Sequence, residues 1–87
     1  MDTDVLKKGR LVKSLSGRDK GYILAVVAAD EKNVFVCDGK ERPLSKPKKK
    51  NIRHIEVLDC VLEEENMLTD RALRRAINRI KTENSSI

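Results

Sequence analysis

The sequence predicts a mainly β domain, a small barrel of about five strands with a C-terminal α-helix. Three observations carry this. Short apolar runs rich in β-branched residues recur between residues 9 and 57, each bounded by turn formers. Gly17 and Gly21 bracket the charged triplet Arg18-Asp19-Lys20 between two of those runs, as a tight loop between antiparallel strands would. From Thr69 onward the period changes: Ala72, Leu73, Ala76, Ile77 and Ile80 fall at helical spacing.

The elements follow in order. Residues 1–8 form a polar lead-in. Gly9 to Ser14 alternates imperfectly and is the first strand. Tyr22 to Ala28 is continuously apolar, which places it at the centre of the core. Asp30 to Asn33 supplies a turn, and Val34 to Cys37 is the third strand, closed by Asp38-Gly39. Arg42-Pro43-Leu44 is a short fourth strand, held to an edge by its proline. Lys46 to Asn51 is a solvated basic loop, and Asn51 to Val57 is the fifth strand. Closing the sheet into a barrel would remove exposed edges. Residues 58–68 connect to the helix and fit both helical and extended patterns. In the helix, residues 69–82, Thr69 caps and Asp70 sits at the positive end. The apolar stripe Leu73, Ile77 and Ile80 needs cover, from the barrel itself or from a partner. Residues 83–87 are a frayed tail.

Composition narrows the function. The chain has 87 residues with one Tyr, one Phe and no Trp, so its core is built from Val, Ile, Leu and Ala. Tyr22 and Phe35 lie in apolar runs and are expected in that core, which argues against a platform for stacking single-stranded bases. The net charge is +5, with fourteen Lys and Arg against seven Asp and Glu in residues 1–53 and five against seven thereafter. The excess is concentrated in Lys40, Arg42, Lys46, Lys48, Lys49, Lys50 and Arg53, with Glu41 as the one acid among them. A field of that sign attracts polyanions, and lysines on phosphates give affinity without sequence choice. Arg18 and Lys20 would add to it, with Asp19 orienting their loop through backbone N–H groups. His54 is either a phosphate contact or a half-buried strand residue.

Catalysis has little support. There is no nucleophile motif, no phosphate-cradling glycine loop and no Cys/His cluster, and no metal or cofactor is expected. Glu63-Glu64-Glu65 reads as a solvated face. Cys37 and Cys60 are expected as buried, reduced thiols of a cytoplasmic protein. No run is long and apolar enough for a membrane span or a signal core.

These residues, in order, resemble a known family. Gly9-Arg10-Leu11-Val12, Ser14, Gly17-Arg18-Asp19-Lys20-Gly21 and Val26-Val27 are followed by Val34, Val36 and Asp38-Gly39-Lys40. Then come Arg42-Pro43-Leu44, Lys46-Pro47-Lys48-Lys49-Lys50-Asn51 and His54-Ile55. Together they look like the bacterial KOW-domain RNA-binding proteins, which are similar to KOW-type large-subunit ribosomal proteins of archaea and eukaryotes. The resemblance covers about residues 9 to 56. It implies an SH3-like barrel that binds RNA, ribosomal RNA above all, through the glycine-bracketed loop and the basic segment. The expected function is therefore a non-catalytic RNA-binding module. The alternative is a protein-interaction adaptor that docks a partner through residues 69–82.

Overall fold

Five antiparallel strands and one helix build the molecule in a computed structural model that describes residues 5–83. Residues 1–4 of the lead-in and 84–87 of the tail lie outside the described residues. The strands are β1 (Arg10–Ser14), β2 (Ile23–Ala29), β3 (Asn33–Cys37), β4 (Lys48–Asn51) and β5 (Ile55–Val61), followed by the helix α1 (Asp70–Glu83). The sheet order is β4-β3-β2-β1-β5, so the first strand sits between the second and the last. This is the arrangement of a small SH3-like barrel, mainly β with a C-terminal helix. β4 and β5 are the two ends of the sheet and share no ladder, so the hydrogen-bonded sheet is not closed as the pattern of turns suggested.

Both sides of the central strands are buried, which explains why β2 reads as unbroken apolar sequence rather than alternation. Val12, Leu24, Val26, Val34, Val36 and Ile55 point into the barrel, joined by Leu6. Val26 and Val36 are fully buried and paired across β2 and β3, as the pattern predicts. Leu6 is 3% exposed, so the lead-in expected to be polar contributes to the core. Leu11, Ile23, Ala25 and Cys37 face the other way and meet Leu73, Ala76 and Ile77 of α1. The stripe on the helix is thus covered by the chain's own sheet. The helix begins as predicted, with the Thr69 hydroxyl accepting from the Ala72 N–H at 3.1 Å.

Three expectations are corrected. The fourth strand is not Arg42-Pro43-Leu44 but the lysine run Lys48–Asn51. Backbone bonds of the 38–44 segment are used locally: Asp38 Oδ1 accepts from the N–H groups of Lys40 and Arg42 at 2.9 Å each. The Leu44 N–H donates to Asp70 Oδ1 at 2.7 Å, tying this loop to the helix. The fifth strand starts at Ile55, because Asn51 caps a 3₁₀ turn over Ile52–His54 by accepting from the Arg53 N–H. That strand runs on to Val61, which resolves the ambiguous connector as extended and then as a second 3₁₀ turn, Glu64–Met67. Finally, Tyr22 lies outside the core, 45% exposed, and Phe35 and Cys60 are only half-buried.

Candidate nucleic-acid interface

The loop between β1 and β2 begins and ends on left-handed glycines, Gly17 at φ 86° and Gly21 at φ 89°. Its backbone is closed by Lys20 N–H to Gly17 O at 3.2 Å, Gly21 N–H to Ser14 O at 2.8 Å and Tyr22 N–H to Asp19 O at 2.8 Å. This turn sets the three charged residues at its tip apart. Arg18 and Lys20 are exposed, while Asp19 between them is turned inward.

The inward carboxylate meets β4. Lys50 pairs in register with Val34 and Lys48 with Val36, so both lysines share the side of the sheet that faces the barrel interior. Lys49 pairs with Phe35 and emerges on the opposite, exposed side. Lys50 Nζ lies 3.0 Å from Asp19 Oδ1, and Lys48 Nζ lies 3.3 Å from Asp19 Oδ2. Lys50 also donates to the Ser16 carbonyl at 2.9 Å, and Ser14 Oγ donates to Asp19 Oδ1 at 2.7 Å. The side chain of Lys50 is only 7% exposed. A lysine takes such a position when its stem fills apolar space and its ammonium is fully engaged. Spanning from β4 to the end of β1, it links the side of the barrel where the ladder is missing.

Burial alone would raise the Asp19 pKa. Hydrogen bonds from Ser14, Lys50 and Lys48, with the Lys50 charge, outweigh it and hold the carboxyl at about 2. Asp19 therefore holds two lysine side chains and one hydroxyl, not the backbone N–H groups expected from turn chemistry. Lys48 and Lys50, expected as solvated contacts for phosphate, are instead engaged within the protein.

The other expected residues divide by position. His54 Nδ1 shares a hydrogen bond of 2.6 Å with Ser16 Oγ at the surface, next to the loop. Arg42 and Arg18 line one cleft of about 340 Å³ with Lys48. Lys40 and Lys46 stand exposed along the 38–47 loop, and Arg53 is exposed on the 3₁₀ turn before β5. Ser14, read only as a strand and motif residue, and Ser16 were not expected at the site. Ser14 follows Val12 at a spacing of two, so alternation alone aims its hydroxyl inward, where a hydroxyl needs a partner.

Elsewhere the chemistry is quiet. Burial, with Asp38 and Asp70 nearby, pushes the Cys37 thiol up to about 11. Both thiols are unbridged. Among the described residues, no group of His, Cys, Asp and Glu side chains could hold a metal ion, and no helix is long and apolar enough to cross a membrane. The chain matches no protein-family model and no curated protein.

Proposed function

We propose that this protein is a non-catalytic RNA-binding module of the cytoplasm that grips structured RNA by its phosphates, ribosomal RNA being the class its resemblance implies. The observation that carries the reading is the division of charge at the glycine-bracketed loop. Its carboxylate is consumed inside by Lys48 and Lys50, while Arg18 and Lys20 stand exposed at the tip. Lys49, Arg53 and His54 add exposed basic groups on the neighbouring β4 and 3₁₀ turn. Exposed cations on a loop closed by backbone hydrogen bonds suit a helical phosphate backbone, which is recognised by shape and charge. The adaptor alternative has less to stand on, because the apolar stripe it needs is buried against the chain's own sheet.

Titration of a hairpin RNA over a range of salt concentrations tests this. Affinity should fall steeply with salt, and Arg18→Gln with Lys20→Gln should lower the log–log slope by roughly one unit per lost phosphate contact. Binding that ignores salt, or a slope unmoved by that pair, would remove the reading.

A further inference from the structure

The only tyrosine of the chain is held at the surface. Its N–H donates to the Asp19 carbonyl and its own carbonyl accepts from the Ser14 N–H, so its backbone is fixed from both sides. The residue is 45% exposed, and its hydroxyl meets no partner among the described residues. An aromatic ring on a rigid mount, left open to solvent, is a platform for another flat group.

The surroundings say which group. The cleft holding Arg18, Arg42 and Lys48 is bordered by Tyr22, Asp38 and Glu41. A second cleft of about 570 Å³, between the 38–41 turn and α1, is bordered by the same three residues and by Lys40, Arg74 and Lys81. The two are therefore one groove, crossing at Tyr22. Its volume falls in the range of small-ligand sites. Cations stand at both ends and carboxylates in the middle. Asp38 Oδ1 already accepts two backbone N–H groups, whereas Glu41 is exposed and has no partner among the described residues. A phosphate is repelled from such a centre and attracted to the ends. A base carrying an exocyclic amine fits the centre, stacking on the ring and donating to the carboxylate.

We propose that this groove takes an unpaired nucleotide extruded from the bound RNA. Its base stacks on Tyr22 with its amino edge toward Glu41. The flanking phosphates lie toward Arg18 and Arg42 on one side and Arg74 and Lys81 on the other. The proposal rests on the RNA-binding reading and adds to it a base-recognising subsite.

Two hairpin RNAs test it, one fully paired and one identical except for a single bulged adenosine. The wild type should prefer the bulged hairpin by roughly 5- to 150-fold, the range of one base–aromatic stack. Tyr22→Phe should keep that preference. Tyr22→Leu should abolish it, with affinity for the paired hairpin, salt slope and melting temperature unchanged. Glu41→Ala, at an exposed position where folding is not at stake, should erase the preference for a bulged adenosine over a bulged uridine, which lacks the amine. Equal binding of the two hairpins by the wild type, or a preference that survives Tyr22→Leu, overturns the subsite and leaves phosphate binding standing. Failure of both hairpins to bind in a salt-dependent way overturns both.

Discussion

Asp19 is the residue on which the most depends. Its folded pKa of about 2 lies below the ordinary 3.8, so its interactions stabilise the fold fully above that ordinary value and are lost as the pH falls toward 2. A shift of that size corresponds to stabilisation on the order of 2 kcal/mol. Asp19→Asn should therefore lower the melting temperature at neutral pH by on the order of 10 °C. The gap between wild type and variant should close when melts are repeated near pH 2, and a constant gap would place the effect elsewhere. The same variant frees two lysines and adds a net positive charge. If the loop must be held to present Arg18 and Lys20, RNA affinity should fall despite that added charge, and tighter binding would show that charge alone matters. At Cys37 the raised pKa leaves almost no thiolate at neutral pH. Half-buried Cys60 should alkylate well before Cys37, as mass spectrometry of an iodoacetamide time course would show.

At the scale of elements, the helix and the 38–44 loop secure each other. Gly39, at φ 79°, has room for no side chain, because a Cβ there would collide with the Asp70 carbonyl in the first turn of α1. Gly39→Ala should cost more than about 1 kcal/mol in a urea melt, through strain and through the displaced helix. Leu73 is fully buried among Leu11, Ile23 and Cys37, and Leu73→Ala should cost about 3 kcal/mol. Unchanged urea midpoints for both variants would mean the helix is not seated as described. These elements were unequally legible. β2, β3 and the helix could be read because long-period burial leaves a direct trace in apolar spacing. β4 could not, because Lys48 to Lys50 look alike and only the distant Asp19 decides that two turn in and one turns out. Pro43 was read as holding its segment to an edge strand, whereas the segment is a loop because Asp38 and Asp70 take its N–H groups. The capture by Asp70, 26 residues away in the chain, leaves no local pattern. Tyr22 was misread for a related reason. It adjoins the apolar β2 run, but the turn closed on Asp19 ends one residue before the strand and leaves its ring outside.

For the whole molecule, the helix is part of the core rather than an appendage. Leu11, Ile23 and Ala25 share a core with it, so residues 1–68 alone would open much of that side of the sheet to water. That fragment should lose cooperative unfolding and bind a hydrophobic dye, whereas the full chain should melt cooperatively without binding the dye. A fragment that melts cooperatively without dye binding would show that the barrel stands alone. Fold class was the most readable property of the chain, since a sheet with apolar strands and an amphipathic helix admits few packings. The candidate interface was readable in its charge and unreadable in its geometry, because composition counts lysines without distinguishing those already spoken for.

The sheet whose middle has no wet side has one more consequence. Leu11 and Val12, adjacent in β1, are both fully buried, as are Ala25 and Val26 in β2. Positions of that kind have nowhere to carry an ionised group. The chain nevertheless holds 33 charged side chains, 19 of them basic, in 87 residues. They are displaced to the turns, to the two end strands, to the outward side of the helix and, in β1, to Arg10 and Lys13 on either side of the buried pair. Adding surface charge to this protein therefore means adding it at the perimeter. A charge introduced at Leu11, Val12, Ala25 or Val26 would instead be buried without a partner, and such a variant should fail to fold.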